Sequence, residues 1–278
     1  MKPAKPPITF SLRPRPERLP RSKYVTICVG FNRGSGIVLA ADTEETFSGF
    51  KRRQPKLEIR PRNGDYSKAC AVFAGAGDGP LIDHLTDKLW EAMERGTALN
   101  AMIKKCEDEL IRTYRRLTPA FHTEHMPEMQ MLVGVWCQPD SLELIEITNS
   151  ILTRNIISKS IGSGYTLSSY IEQRLLYEKA DLSDVIPLAV YMVDEAKRHV
   201  DGCGGETHVV TLSANGQVKR FHDFDVAAKS KRIAEIDRLA RQIGAVAMNE
   251  TIRDDGVRSA IEQFGEAIIR ARQKADKP

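Results

Sequence analysis

A hydroxyl and a carboxylate stand near the two ends of one apolar segment: Thr26 and Asp42, within YVTICVGFNRGSGIVLAAD at residues 24–42. The segment reads as two β-strands joined by a Gly/Ser turn over residues 32–35. A turn centred on Gly34 sets Thr26 directly opposite Asp42 in an antiparallel pair, within side-chain reach. A polar pair in otherwise apolar strands needs a reason, and nucleophile chemistry is one. Without it, Thr26 is a strand residue with good β propensity.

The elements that must position the pair follow from periodicity and punctuation. Residues 1–23 form a Pro-rich basic arm or leader, extended because proline removes backbone donors and disfavours helix in the residue before it. After the hairpin come a polar connection, a short strand-like stretch at residues 56–59 and a buried strand at Lys68 to Ala74. The loop Gly75 to Gly79 interrupts that strand, and Pro80 fits the first turn of a helix whose apolar residues recur at helical spacing to Met93. A second helix covers Leu99 to Leu117. Three strands follow, over Gln130 to Cys137, Leu142 to Thr148 and Thr153 to Ser160. Helices over Tyr165 to Lys179 and Ser183 to His199 precede a last hairpin, His208 to Leu212 and Gln217 to Phe221, turned at Asn215-Gly216. The tail holds two amphipathic helices, Ala228 to Asn249 and Asp255 to Gln273. Strand-rich blocks each covered by a helix pair predict an α+β fold, a four-layer α-β-β-α sandwich, rather than a doubly wound sheet. The domain reading is an arm over 1–23, a sandwich over 24–225 and a helical extension over 226–278.

Composition excludes several classes. At 41% hydrophobic and 28% charged residues the 278-residue chain reads as globular, long enough to bury a substantial core. The net charge of +4 owes much to the arm, where seven Lys and Arg meet only Glu17, so no domain face marks a nucleic-acid binder. Five cysteines, odd in number and never in a CxxC pair, favour a reducing cytosol over a disulfide framework. No run reaches the ~18 apolar residues of a membrane span, and the arm lacks a signal peptide's apolar core. The expected location is cytoplasmic, with no membrane and no nucleic-acid partner.

Taken together, the residues resemble the start of proteasome-type subunits, among the N-terminal-nucleophile (Ntn) hydrolases. The match includes the Val29-Gly30 step, GIVLAAD at Gly36 to Asp42 with Thr43 after it, and AGAGDG around Gly75. It continues with IGSG ending at Gly164 and Cys203-Gly204-Gly205 before the last hairpin. The resemblance implies the same four-layer sandwich and a nucleophilic threonine freed by cleavage of a leader, with Thr26 at that position. A free α-amino group has a pKa of about 7.7–8.0, so one residue would supply nucleophile and base. Asp42 matches the aspartate behind the threonine, Lys56 the buried lysine that lowers its pKa, Gly75 the oxyanion-hole glycine, and Ser163 the serine beside the amine. Asp201 matches the aspartate that orients the amine when the turn slips by one. Val25 stands where self-cleaving members carry glycine, and Cys203 where active members often carry serine. The implied function is a threonine-type hydrolase of peptides or unfolded proteins without a cofactor, in a homo-oligomeric ring with a possible ATP-dependent unfoldase. The alternative is an inactive structural or gating subunit that retains its leader.

Two other constellations carry less. Gly75 to Gly79 is GxGxG rather than GxGxxG, lacks the acid about 20 residues on, and places Asp78 where phosphate would sit; a tight turn accounts for it. His122, Glu124 and His125 lie in a Pro-flanked loop without HExxH or CxxC partners and read as solvated loop residues rather than a metal site.

Overall fold

The computed structural model describes residues 26–47, 50–61, 66, 68–120, 126–139 and 141–273. The leader arm and the His122, Glu124 and His125 loop lie outside them. The chain begins with β1 (Ile27–Arg33), β2 (Gly36–Asp42), β3 (Glu44–Phe47), β4 (Phe50–Arg53), β5 (Leu57–Arg60) and β6 (Ala69–Gly77). Helices α1 (Gly79–Glu94) and α2 (Leu99–Leu117) come next, then β7 (Met129–Cys137), β8 (Ser141–Thr148), β9 (Ile151–Thr153) and β10 (Ser158–Gly162). Helices α3 (Tyr165–Leu175) and α4 (Leu182–His199), strands β11 (Thr207–Ser213) and β12 (Val218–Arg220), and helices α5 (Asp223–Met248) and α6 (Asp254–Gln273) complete it.

The result is an α+β fold with two five-stranded antiparallel sheets. One runs β10-β1-β2-β11-β12 and the other β5-β6-β7-β8-β9, while β3 and β4 pair apart from both. β1 and β2 are apolar on both faces because both faces are covered; every residue of β2 is buried. Three apolar clusters divide the interior. Leu85, Leu89, Ile103 and Leu110 of α1 and α2 meet Phe73, Met131 and Val133 of the second sheet. Cys28, Leu39 and Val210 of the first sheet share a cluster with Val72, Leu132 and Leu144 of the second. Val29, Val38 and Val209 pack beneath Ala189, Val190 and Val193 of α4. Each fully buried Leu or Val of this kind contributes about 1.5–3 kcal/mol by burial.

Local sequence explains where the elements start. Asp78 caps α1 by accepting from Leu81 N (2.9 Å), with Pro80 in the first turn. Asp181 and Asp184 form a reciprocal capping box at the head of α4.

Four expectations need correction. The β1–β2 loop is the two-residue Gly34-Ser35, flanked by the Arg33↔Gly36 pair, so the register differs by one from a turn centred on Gly34. Cys28 faces Ala41, and Thr26 therefore does not lie directly across from Asp42. Gly75 to Gly77 do not interrupt the buried strand but extend it, because each continues the ladder with β7. The strand expected over Thr153 to Ser160 is two strands in different sheets. Asn155 adopts a left-handed φ of 56°, and the buried Glu143 fixes the crossing by accepting from Asn155 N (3.0 Å) and from Arg154. The polar connection after Asp42 contains the β3–β4 hairpin, whose short polar strands carry no alternating apolar pattern.

Candidate active site

Thr26 sits just before β1, 2% exposed, between the two ends of the first sheet's central strands. The one-residue difference in register does not separate it from Asp42. Its Oγ1 donates to Asp42 Oδ1 at 2.6 Å, because Asp42 closes β2 and turns its carboxylate back along the end of β1. The same Oδ1 accepts from Ile27 N at 3.1 Å, and Oδ2 from Gly204 N at 2.9 Å. Asp42 is wholly buried, and these backbone donors satisfy much of its acceptor capacity.

Lys56 supplies the counter-charge. It ends the extended Gln54–Lys56 connection immediately before β5, with its side chain 10% exposed. Its Nζ lies 2.7 Å from Asp42 Oδ1 and also donates to Thr26 Oγ1 and to the Glu44 carbonyl. The threonine hydroxyl is thus held between an ammonium and a carboxylate. A cation at that distance favours negative charge developing on Oγ1.

The backbone of Thr26 is held from the other side. Thr26 N donates to Ser163 Oγ (3.3 Å), and Thr26 O accepts from Ser163 Oγ (3.2 Å) and Gly164 N (3.3 Å). Gly162 makes this approach possible: its φ is +88°, and a Cβ there would fall 2.4 Å from Thr26 O. Cys203 Sγ lies 3.5 Å from Ser163 Oγ. Burial pushes this thiol up to about 11, with Ser163 opposing and Asp42 adding to the shift, so it remains a protonated neighbour of the serine.

Gly75 lines the same open cleft as Thr26, which has a volume of about 600 Å³ including its solvent-open part. The β5–β6 ladder ends at Leu57↔Ala74, so from Gly75 onward this edge of β6 meets the cleft rather than another strand. A Cβ on Gly75 would meet Ile82 Cγ2 at 2.5 Å, so glycine lets α1 close down on the strand. Around the cleft stand Glu45, Gln54 to Lys56, Glu58, Phe73 and, from α1, Ile82, Asp83 and Thr86.

The structure therefore brings Thr26, Asp42, Lys56, Gly75 and Ser163 together. Asp201 is exposed in the turn after α4, where its charge acts on Lys51, and among the described residues it makes no hydrogen bond to the Thr26 group. The Gly204 N–H and the Glu44 carbonyl were not foreseen from sequence, since a backbone group carries no residue-type signal. Among the described residues, Glu206, His208 and Asp223 bring potential metal-binding atoms within 4.8 Å of one another. Arg53 already pairs with Glu206 at 2.7 Å, and burial followed by Arg220 lowers the His208 pKa, so resident positive charge opposes a cation there. No helix among the described residues is long and apolar enough to cross a membrane.

No protein-family model matches the chain, and no curated protein matches it in sequence. Solved structures do. Anbu (ancestral beta-subunit) from Yersinia bercovieri superposes with a TM-score of 0.65 at 14% identity, covering 82% of this chain and 100% of its own. Anbu from Hyphomicrobium sp. strain MC1 superposes with a TM-score of 0.62 at 16% identity, covering 78% and 97%. At such identities the likeness is one of fold.

Proposed function

We propose that the chain is a proteasome-like subunit with the four-layer Ntn-hydrolase sandwich, and that it hydrolyses peptide or unfolded-protein amides with Thr26 as nucleophile. The observation that carries this is the Thr26 hydroxyl bound at once to Asp42 and Lys56 on the wall of an open cleft. A buried strand threonine with a structural role needs neither a lysine nor access to a cleft.

Cleavage of the Val25–Thr26 bond frees the α-amine of Thr26. The unprotonated amine takes the Oγ1 proton, and Oγ1 adds to the substrate carbonyl. Lys56 stabilises negative charge on Oγ1, Asp42 holds Lys56 in place, and Ser163 Oγ holds the nitrogen. The Gly75 N–H stabilises the oxyanion; loss of one such donor costs about 3–4 kcal/mol in other enzymes. The amine passes its proton to the leaving nitrogen, and water then releases the acyl group from Oγ1. The likeness in fold to the Yersinia protein, an ancestral beta-subunit, supports assembly with further copies in a ring, for which an ATP-dependent unfoldase is the fitting partner.

A second reading has its own observation: Val25 is β-branched, which resists the sharp bend that self-cleavage requires. A retained leader leaves Thr26 without a free amine, and the chain is then a structural or gating subunit. Intact mass and N-terminal sequencing of the purified protein separate the two. A new terminus at Thr26, with peptide hydrolysis lost in Thr26→Ala, is the expected result. A full-length chain without hydrolysis overturns the hydrolase reading.

A further inference from the structure

The cleft beside Thr26 has a composition that the hydrolytic chemistry does not use. Ile82 gives it an apolar wall above the buried Phe73, while its rim carries Glu45, Glu58 and Asp83 from three separate elements. Glu45 is paired with Arg52 at 2.7 Å, and Arg60 bridges Glu58 and Asp87. Lys56 and Asp42 offset each other. Among the described residues, Asp83 is the rim carboxylate without an ion-pair partner. Burial, then Glu58, Glu45 and Asp87, hold the Asp83 carboxyl above its ordinary value, with Arg52 opposing. A cation arriving there relieves that repulsion.

The arrangement suits a long cation better than an ion. The rim carboxylates do not converge on a point: among the described residues only Glu206, His208 and Asp223 bring metal-type donors within 4.8 Å. An aliphatic stem that lies along Ile82 with a charged tip at Asp83 is the geometry of lysine and arginine side chains. Resting on the hydrolase reading above, we propose that the cleft selects substrates with a lysine or arginine side chain beside the scissile bond. Asp83 is the specificity-determining residue.

The test uses the chain from residue 26 onward, as leader removal leaves it, carrying Thr26→Ala, so that binding is read without turnover and with residues 1–25 absent from the cleft. Isothermal titration at low salt compares acetylated tripeptide amides ending in arginine or leucine. The arginine peptide binds about fivefold tighter, the size expected of one partly screened ion pair. Adding Asp83→Asn brings the two peptides within twofold, Asp83→Glu keeps the preference, and salt weakens only the arginine peptide. Equal binding, a preference that survives Asp83→Asn, or binding of neither peptide overturns the proposal. Hydrolysis of the same peptides carrying a fluorogenic amide, by the chain with Thr26 intact, separates the two claims. Arginine-selective binding without hydrolysis keeps the selective cleft and removes Thr26 as nucleophile. Hydrolysis of leucine and arginine peptides at equal rates keeps the nucleophile and removes the selectivity.

Discussion

Replacing Lys56 by methionine probes the site most directly, because it removes the charge and keeps much of the stem. Asp42 is 0% exposed and loses its only side-chain cation among the described residues, yet keeps the Thr26 hydroxyl, Ile27 N and Gly204 N as donors. Breaking a buried pair by removing one partner costs about 3–5 kcal/mol, and the three retained donors place Lys56→Met near 3 kcal/mol. Asp42→Asn has a different cost. Oδ2 accepts from Gly204 N and Oδ1 from three donors, so an amide nitrogen at either position meets a donor instead of an acceptor. About 2–3 kcal/mol follows for the unsatisfied groups.

The double variant carries neither charge. Independent effects would sum to about 5–6 kcal/mol, whereas a coupled pair leaves a deficit nearer 3–4, a coupling of about 2 kcal/mol. Urea unfolding followed by circular dichroism, at unchanged m-value, measures all three differences. Peptide hydrolysis is absent in each single variant and stays absent in the double variant although its stability partly returns. Additivity of the single effects within about 0.5 kcal/mol would refute the assignment of Lys56 and Asp42 as one buried, mutually dependent unit.

Gly75→Ala drives a methyl into Ile82, so a loss of about 1–3 kcal/mol and of hydrolysis is expected, with Ile82→Ala restoring part of both in unfolding and rate assays. Burial raises the Asp194 pKa, but the hydroxyl of Ser230, the Lys197 ammonium and Thr207 outweigh it and leave the group lowered. A lowered folded pKa means that its contribution is complete above the unfolded value of 3.8 and fades as pH falls through the folded one. Acid titration of circular dichroism should therefore show an unfolding component below about pH 4 that Asp194→Asn removes. Deleting residues 250–278 takes away α6, which packs on α5, and should leave the thermal midpoint nearly unchanged. Deleting 222–278 also removes the buried Val226 and the Ser230 partner of Asp194, and calorimetry should register a clear drop.

Helices were legible from their periodicity. Pro80 and the Leu81, Leu85, Leu89, Met93 stripe locate α1, whose Asp78 cap was read only as part of a loop, and α2 spans the residues its periodicity predicts. Strand identity was legible too, but pairing was not. Gly34 and Ser35 together make the loop, and a half-residue error in the turn centre shifts the whole register by one. Thr153 to Ser160 misled for another reason: a continuous β-prone run hides a change of sheet that Glu143, distant in sequence, enforces at Arg154 and Asn155. The β3–β4 hairpin was missed although Ser48-Gly49 is a turn signal in the sequence, since the flanking EETF and FKRR do not alternate apolar and polar residues.

The candidate site divides along the same line. Thr26 and Asp42 were visible because both lie in one hairpin, whereas Lys56, Gly75 and Ser163 were placed only by the family resemblance, since the approaches that bring them to Thr26 are long-range. The acidic rim was invisible, since Glu45, Glu58 and Asp83 come from β3, β5 and α1 and acquire a shared meaning only when Gly75 lets α1 press against the end of β6. On the proposed reading, chemistry and selectivity are separable in this chain. The first depends on two central strands and a lysine held by a buried carboxylate. The second depends on how closely one helix approaches one strand, so a substitution at Ile82 or Asp83 should change which amide is chosen while the Thr26, Asp42 and Lys56 contacts stay in place.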